Sequence, residues 1–137
     1  MAQYNTKSQG SRVARRWFSD IDVNMTLHPE SKDIVLKYDI NAIKRSLKNL
    51  LLTNKYERPF KANIGADLRT KLFELSTMDS RALRMDIKEV IEQFEPRVNV
   101  SSIELSMQRT QLNISLYFSI INTNRPYQLD LVLERVR

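Results

Sequence analysis

Phe94-Glu95-Pro96-Arg97-Val98 divides this chain into a helical part and a stranded part. Pro96 has no backbone N–H and disfavours helical geometry at Glu95, so a helix arriving here stops. Val98 then opens a run of alternating apolar residues. Glu95 and Arg97 allow two readings. They are solvated charges beside a helix stop, or they are held on a stiff corner as a docking point for a partner. Local chemistry alone favours the first.

Upstream of the corner, Leu83, Ile87, Val90, Ile91 and Phe94 share one helical face, and Thr77 or Asp79 can cap that helix. A shorter helix is expected over Leu68–Leu75. Ile40, Ile43, Leu47, Leu50 and Leu51 form the stripe of another, capped by Asp39 and ended at Thr53-Asn54, with Lys44, Arg45 and Lys48 on its solvent side. Between them, residues 55–65 lack any period and read as an ordered loop whose aromatics pin it to the core. Gly65 stands where the backbone needs positive φ or a close approach. Ile34-Val35-Leu36 leaves room for one short N-terminal strand. His28 lies in a loop.

Downstream, Val98 and Val100 alternate, and Ile103, Leu105 and Met107 then alternate in the opposite phase, which calls for a bulge at Ser101-Ser102. Arg109-Thr110 is turn-like. Leu112, Ile114, Leu116, Phe118 and Ile120 make the cleanest strand, residues 122–126 read as a turn, and Leu129, Leu131 and Leu133 as a last strand. The expected fold class is α+β: an antiparallel meander of about three C-terminal strands packed against two longer helices and one short helix.

Composition narrows the chemistry. The chain has 137 residues, 42% hydrophobic and 28% charged, as in an ordinary globular domain. It has no cysteine, which excludes disulfides and thiolate chemistry, and its one histidine excludes multi-histidine metal sites. No cofactor or metal is expected. No apolar run approaches the ~20 residues that span a membrane, and the first residues lack a signal-like apolar core. The net charge of +6 is concentrated at the start, where Lys7, Arg12, Arg15 and Arg16 stand with no acid before Asp20. Residues 1–16 read as a flexible basic arm and residues 17–137 as a single domain. Trp17 and Phe18, two adjacent aromatics, are expected to be buried, against the domain's own core or against a partner.

The segments Phe18-Ser19-Asp20-Ile21-Asp22, Ile43-Lys44-Arg45-Ser46-Leu47, Glu57-Arg58-Pro59-Phe60, Gly65-Ala66-Asp67-Leu68, Leu72-Phe73-Glu74 and Glu95-Pro96-Arg97 occur in an order and spacing that resembles the gene-25-like family. These are baseplate wedge proteins of contractile phage tails, related to a sheath-initiator component of type VI secretion baseplates. The match covers roughly residues 17–135. One departure stands out: Lys55-Tyr56 occupies the place where the pattern has a glycine just before Glu57.

The resemblance implies a structural subunit of a large six-fold virion assembly, built in the host cytoplasm, with wedge core proteins, the sheath subunit and tube-proximal baseplate proteins as partners. It makes Glu95, Pro96 and Arg97 the contact to the wedge core bundle. It makes the C-terminal strands, with Tyr127, Leu129, Leu131 and Leu133 as candidates, the sheath-facing element by strand addition at a free edge, which is either the Ile103–Met107 strand or the Tyr127–Val136 strand. Trp17 and Phe18 are further contact candidates. Two other functions compete. A lysozyme-like glycosidase would need two carboxylates from among Glu57, Asp67, Glu74 and Glu95, roughly 5–9.5 Å apart. A nucleic-acid binder would use the arm with Lys44, Arg45, Lys48, Lys55, Arg58 and Lys61, but it lacks stacking aromatics on a strand face.

Overall fold

A computed structural model describes residues 18–22, 24–73, 79–108, 110–121 and 123–134. The basic arm and Trp17 fall outside these residues. The first described element is a two-stranded antiparallel ribbon, β1 (Ser19–Ile21) on β2 (Leu36–Tyr38), in which Ser19 faces Tyr38 and Ile21 faces Leu36. The expected short strand is therefore present but shifted by two residues, and it has a partner. Ile34 is taken by an isolated bridge to Leu27, and Val35 accepts the Asp22 N–H, so regular pairing starts only at Leu36.

Helix α1 (Asp39–Leu52) buries Ala42, Ile43, Leu47, Leu50 and Leu51, close to the stripe expected from the sequence. Its start differs. Asp39 is the first helical residue, at φ 47, and Tyr38 precedes it in extended conformation without a side-chain cap. The Asp39 carboxylate accepts the Phe18 N–H at 3.2 Å, and the Asp39 N–H donates to the Phe18 carbonyl at 2.8 Å. This aspartate ties the helix start to β1. At the other end, the Thr53 N–H and hydroxyl both reach the Asn49 carbonyl.

Gly65, at φ 129, lies so close beneath this end that a Cβ there would fall 2.4 Å from the Thr53 carbonyl oxygen. Both reasons for a glycine hold at once. Helix α2 (Leu68–Phe73) buries Leu68 and Leu72; Leu75 lies beyond the described residues, as does Thr77. Helix α3 (Ser80–Phe94) is capped by Asp79, whose carboxylate accepts the Arg81 N–H at 2.9 Å, and it buries Leu83, Ile87 and Ile91.

The C-terminal sheet has the antiparallel order β3 (Val98–Met107), β4 (Gln111–Ile120), β5 (Thr123–Glu134). The register of β3 on β4 shifts between Val100 and Ser102, the bulge that the change of phase called for. Of the expected turn at 122–126, residues 123–126 do not make a loop. Strand β5 already begins at Thr123, opposite Ile120, and Pro126 pairs with Ser119, so the extra residues bulge within the ladder. Turn-forming residues also suit a bulge, and a proline without N–H is tolerated in an edge strand.

On the inner face, Leu112, Ile114, Leu116, Phe118 and Ile120 of β4, with Leu131 and Leu133 of β5, meet the helices in one core cluster. The outer face is polar, with Ser115 donating to Asp130 and Gln111 to Glu134, each at 2.7 Å. An antiparallel sheet with one wet face and helices on the other is the expected α+β arrangement. Among the described residues, no helix is long and apolar enough to cross a membrane.

Candidate docking corner

Helix α3 ends where Pro96 requires it. Glu95 leaves helical geometry at φ −129, ψ 70, and its N–H makes the last helical bond, to Ile91. The Glu95 carbonyl then accepts the Val98 N–H at 3.1 Å, closing a turn over Pro96 and Arg97. The Arg97 carbonyl accepts the Ile121 N–H at 3.1 Å. The corner is thereby fastened to the helix behind it and to the β4–β5 connection beside it.

The two charges on this corner are paired with each other, and only Arg97 keeps contact with solvent. Glu95 is 3% exposed, and Arg97 clasps its carboxylate with both Nε and Nη2, the latter at 2.6 Å from Oε2. The Ser46 hydroxyl of α1 donates to the same Oε2 at 2.6 Å. Burial pushes the Glu95 carboxyl up, but the Arg97 fork and the Ser46 hydroxyl outweigh it and hold the acid below its usual range. The bonds to Glu95 raise Arg97 in turn, against its partial burial, and the nearby Asp20 adds to them. The guanidinium lies over the Phe18 ring, 5.1 Å from its centroid.

What the corner presents outward is therefore the chemistry of Arg97. Its side chain is 36% exposed, and Glu95 uses only two of its five donors. The Glu95 carboxylate faces inward as the clamp that orients it. Phe18 is half-buried and packs against the core, beneath Arg97.

A second clamp was not legible in the sequence. Arg45, expected on the solvent side of α1, donates from Nη2 to Asp22 Oδ1 at 3.1 Å, and Asp22 is 4% exposed. Burial raises the Asp22 carboxyl, while Lys37, Thr26, the Asn24 backbone and Arg45 lower it further, leaving it below its usual range. Only co-occurrence of the two motif segments hinted at this pair. Folding brings the Phe18–Asp22 segment and the Glu95–Arg97 corner together beside α1: Asp22 meets Arg45 and Glu95 meets Ser46 on the helix, and Phe18 meets Arg97 between the two segments.

On β5, the inner-face residues Tyr127 and Leu129 are half-buried, and Leu131 and Leu133 are buried, with Tyr127 against Phe118 at 6.1 Å between ring centroids. These four side chains serve the chain's own core. The strand's outward offer is its backbone edge and the row Gln128, Asp130, Val132 and Glu134, with Val132 59% exposed.

The loop after α1 departs most from expectation. Tyr56 and Phe60 do not pin it: they are 82% and 104% exposed, with φ 67 and 69. Ile64 is the residue packed on the core. The loop is braced instead by polar bonds, from Tyr56 N–H to the Ala62 carbonyl at 2.8 Å and from Asn54 N–H to the Glu57 carboxylate at 2.9 Å. Of the candidate acids, Glu57 is engaged in that brace, Asp67 accepts from the Thr70 hydroxyl at 2.8 Å, and Glu74 lies outside the described residues. Glu95 is held ionised, the opposite of what a proton-donating glycosidase acid requires. Among the described residues, no cluster of potential ligands could hold a metal ion.

Comparison with known proteins bears on the family and the fold. Residues 38–125 match the family model described as baseplate wedge protein gp25. A relative of that name from Enterobacteria phage T4 is 28% identical over 108 residues, covering 77% of this chain and 81% of its own length. Among solved structures, a protein from Geobacter sulfurreducens, provisionally named a tail lysozyme, superposes with a TM-score of 0.65 at 21% identity, over 75% of this chain and 96% of that one. A chain of the anti-feeding prophage baseplate, seen by cryo-electron microscopy, superposes with a TM-score of 0.59 at 18% identity, over 88% and 87%. At these identities the two structures speak for the fold alone.

Proposed function

The chain belongs to the gp25 family of baseplate wedge proteins, and on that premise we propose that it joins the wedge through the Arg97 corner and starts the sheath by accepting a strand at the edge of β5. As a family member it is a structural component of a contractile phage-tail baseplate, and so part of the virion. The observation that carries the docking proposal is the clamp on Arg97. A buried carboxylate, itself fixed by a hydroxyl 49 residues away in the chain, and an aromatic ring together hold one partly exposed arginine in place. Such preorganisation lowers the ordering cost of a bidentate contact to a carboxylate or a backbone carbonyl.

The strand-addition proposal is supported by β5 being a sheet edge, regular in register from Tyr127 to Glu134. The other edge, β3, is interrupted by its bulge and packs along α3.

One experiment separates the two contacts. Wedge proteins from the same tail are co-expressed with the Glu95→Ala/Arg97→Ala double variant, which removes both charges together, or with Val132→Lys, which sets a charge beside the β5 edge. Circular dichroism confirms that each is folded. The double variant is expected to be lost from the purified wedge. Val132→Lys is expected to enter the wedge but fail to nucleate sheath. Normal incorporation of the double variant overturns the corner, and normal sheath growth on Val132→Lys overturns the edge.

A further inference from the structure

The loop between Asn54 and Gly65 is built as a display rather than a connection. Tyr56 and Phe60 are non-glycine residues at positive φ, a conformation that L side chains adopt at a cost, and each points a large aromatic into solvent. A glycine before Glu57 would take the same backbone without that cost. Local strain combined with forgone burial marks a segment whose geometry is kept for contact.

The surroundings describe what the contact takes. Beside the loop runs a groove of about 410 Å³, with Leu50, Ile64 and Phe94 apolar and Arg58 and Lys61 at its rim. Lys55, Arg58 and Lys61 are exposed, and among the described residues none has a carboxylate within ion-pair distance. Glu57, the one acid of the loop, is turned back onto the Asn54 N–H. The same groove reaches Ser46 and Asp20 and ends at Phe94, the residue before the Glu95-Pro96-Arg97 corner.

We propose that this loop and groove form a second protein-binding surface, which takes an acidic segment carrying apolar side chains from a neighbouring baseplate protein. Carboxylates of the segment meet Arg58 and Lys61, its apolar side chains meet Leu50, Ile64 and Phe94, and the exposed Lys55, Tyr56 and Phe60 of the same loop extend the contact. A nucleic-acid strand fits less well, because a phosphate backbone has no apolar groups to set against Leu50, Ile64 and Phe94, which line the groove beside Arg58 and Lys61. That the partner belongs to the same tail rests on the family, whereas the surface itself does not depend on the docking role of Arg97.

The test uses the full chain and overlapping 20-residue peptides that span the wedge and sheath proteins of the same tail, with binding read by fluorescence anisotropy. A dT20 oligonucleotide and analytical ultracentrifugation of the chain alone serve as further arms. Acidic peptides containing apolar residues are expected to bind, with at least a tenfold loss for Arg58→Glu/Lys61→Glu and for Tyr56→Gly/Phe60→Ala. Lys88→Ala, at an exposed helix position that lines neither groove, is expected to bind these peptides as well as the parent does. Tyr56→Gly alone is expected to weaken binding without lowering Tm, a separation that a purely structural tyrosine would not show. Three outcomes overturn the proposal: peptide binding that both loop variants retain, binding of dT20 alone, or self-association that the loop variants abolish. Loss of peptide binding in Arg97→Lys but not in the loop variants would assign the segment to the corner instead.

Discussion

Glu57-Arg58-Pro59-Phe60 and Phe94-Glu95-Pro96-Arg97 use the same four residue types, and the fold treats them in opposite ways. In the second, the glutamate is buried, the arginine closes on it, and the phenylalanine packs against the core. In the first, the glutamate braces its own loop, the arginine stands free at a groove rim, and the phenylalanine is fully exposed. The second follows a helix packed between α1 and β3, so its side chains meet protein on several sides. The first follows a helix end and lies over the surface, with only Ile64 reaching inward. Residue type sets what a side chain can bond to, and the surroundings set which bond it makes.

The sharpest way to break this contrast is to remove one half of the buried pair. Arg97→Ala leaves Glu95 buried without its cation and is expected to cost about 3 kcal/mol, the lower end for broken buried pairs because Arg97 is itself partly exposed. The double variant with Glu95→Ala is expected to recover part of that loss, as read from urea unfolding. Arg58→Ala in the loop is expected to change stability by less than about 0.5 kcal/mol. Equal losses at the two arginines would remove the contrast.

A smaller effect follows from the lowered Glu95 carboxyl. A depressed acid contributes stability that is present above its unfolded pKa of about 4.3 and is lost as pH falls through the folded value. Unfolding free energy is therefore expected to decline below about pH 4, and Glu95→Gln to flatten that decline. Ser46→Ala removes a hydrogen bond to a charged group, is expected to cost about 1.5 kcal/mol near neutral pH, and makes the acid-side decline smaller. A pH profile identical for all three proteins would mean that the clamp does not stabilise the corner.

The smallest effect has the opposite sign. Tyr56→Gly relieves a left-handed residue worth about 1 kcal/mol, partly offset by the ~0.5–1 kcal/mol glycine loses in chain entropy. Thermal melts are expected to show an unchanged or slightly raised Tm. A drop of several degrees would mean that Tyr56 supports the fold.

Most of the architecture was open to reading because its signals are local. The stripe of α1, the cap at Asp79, the stop at Pro96, the phase change at Ser101-Ser102 and the alternation of β4 each rest on residues within a few positions of one another. The errors also have local causes. Asn, Arg and Pro in residues 122–126 suit a bulge as well as a turn, and a β2 start at Leu36 depends on what Leu27 does with Ile34. For the corner, sequence and resemblance singled out Glu95, Pro96 and Arg97, but not the inward turn of the glutamate.

The sequence by itself determined the order and type of the elements from α1 onward, because helix and strand periods and proline chemistry act over short spans. The tertiary structure alone decided which charges are spent inside and which face outward. Glu95 meets Ser46 across 49 residues and Asp22 meets Arg45 across 23, while Tyr56 and Phe60 stand exposed among the described residues. No periodicity encodes such meetings, since they depend on where whole elements are packed rather than on spacing along the chain.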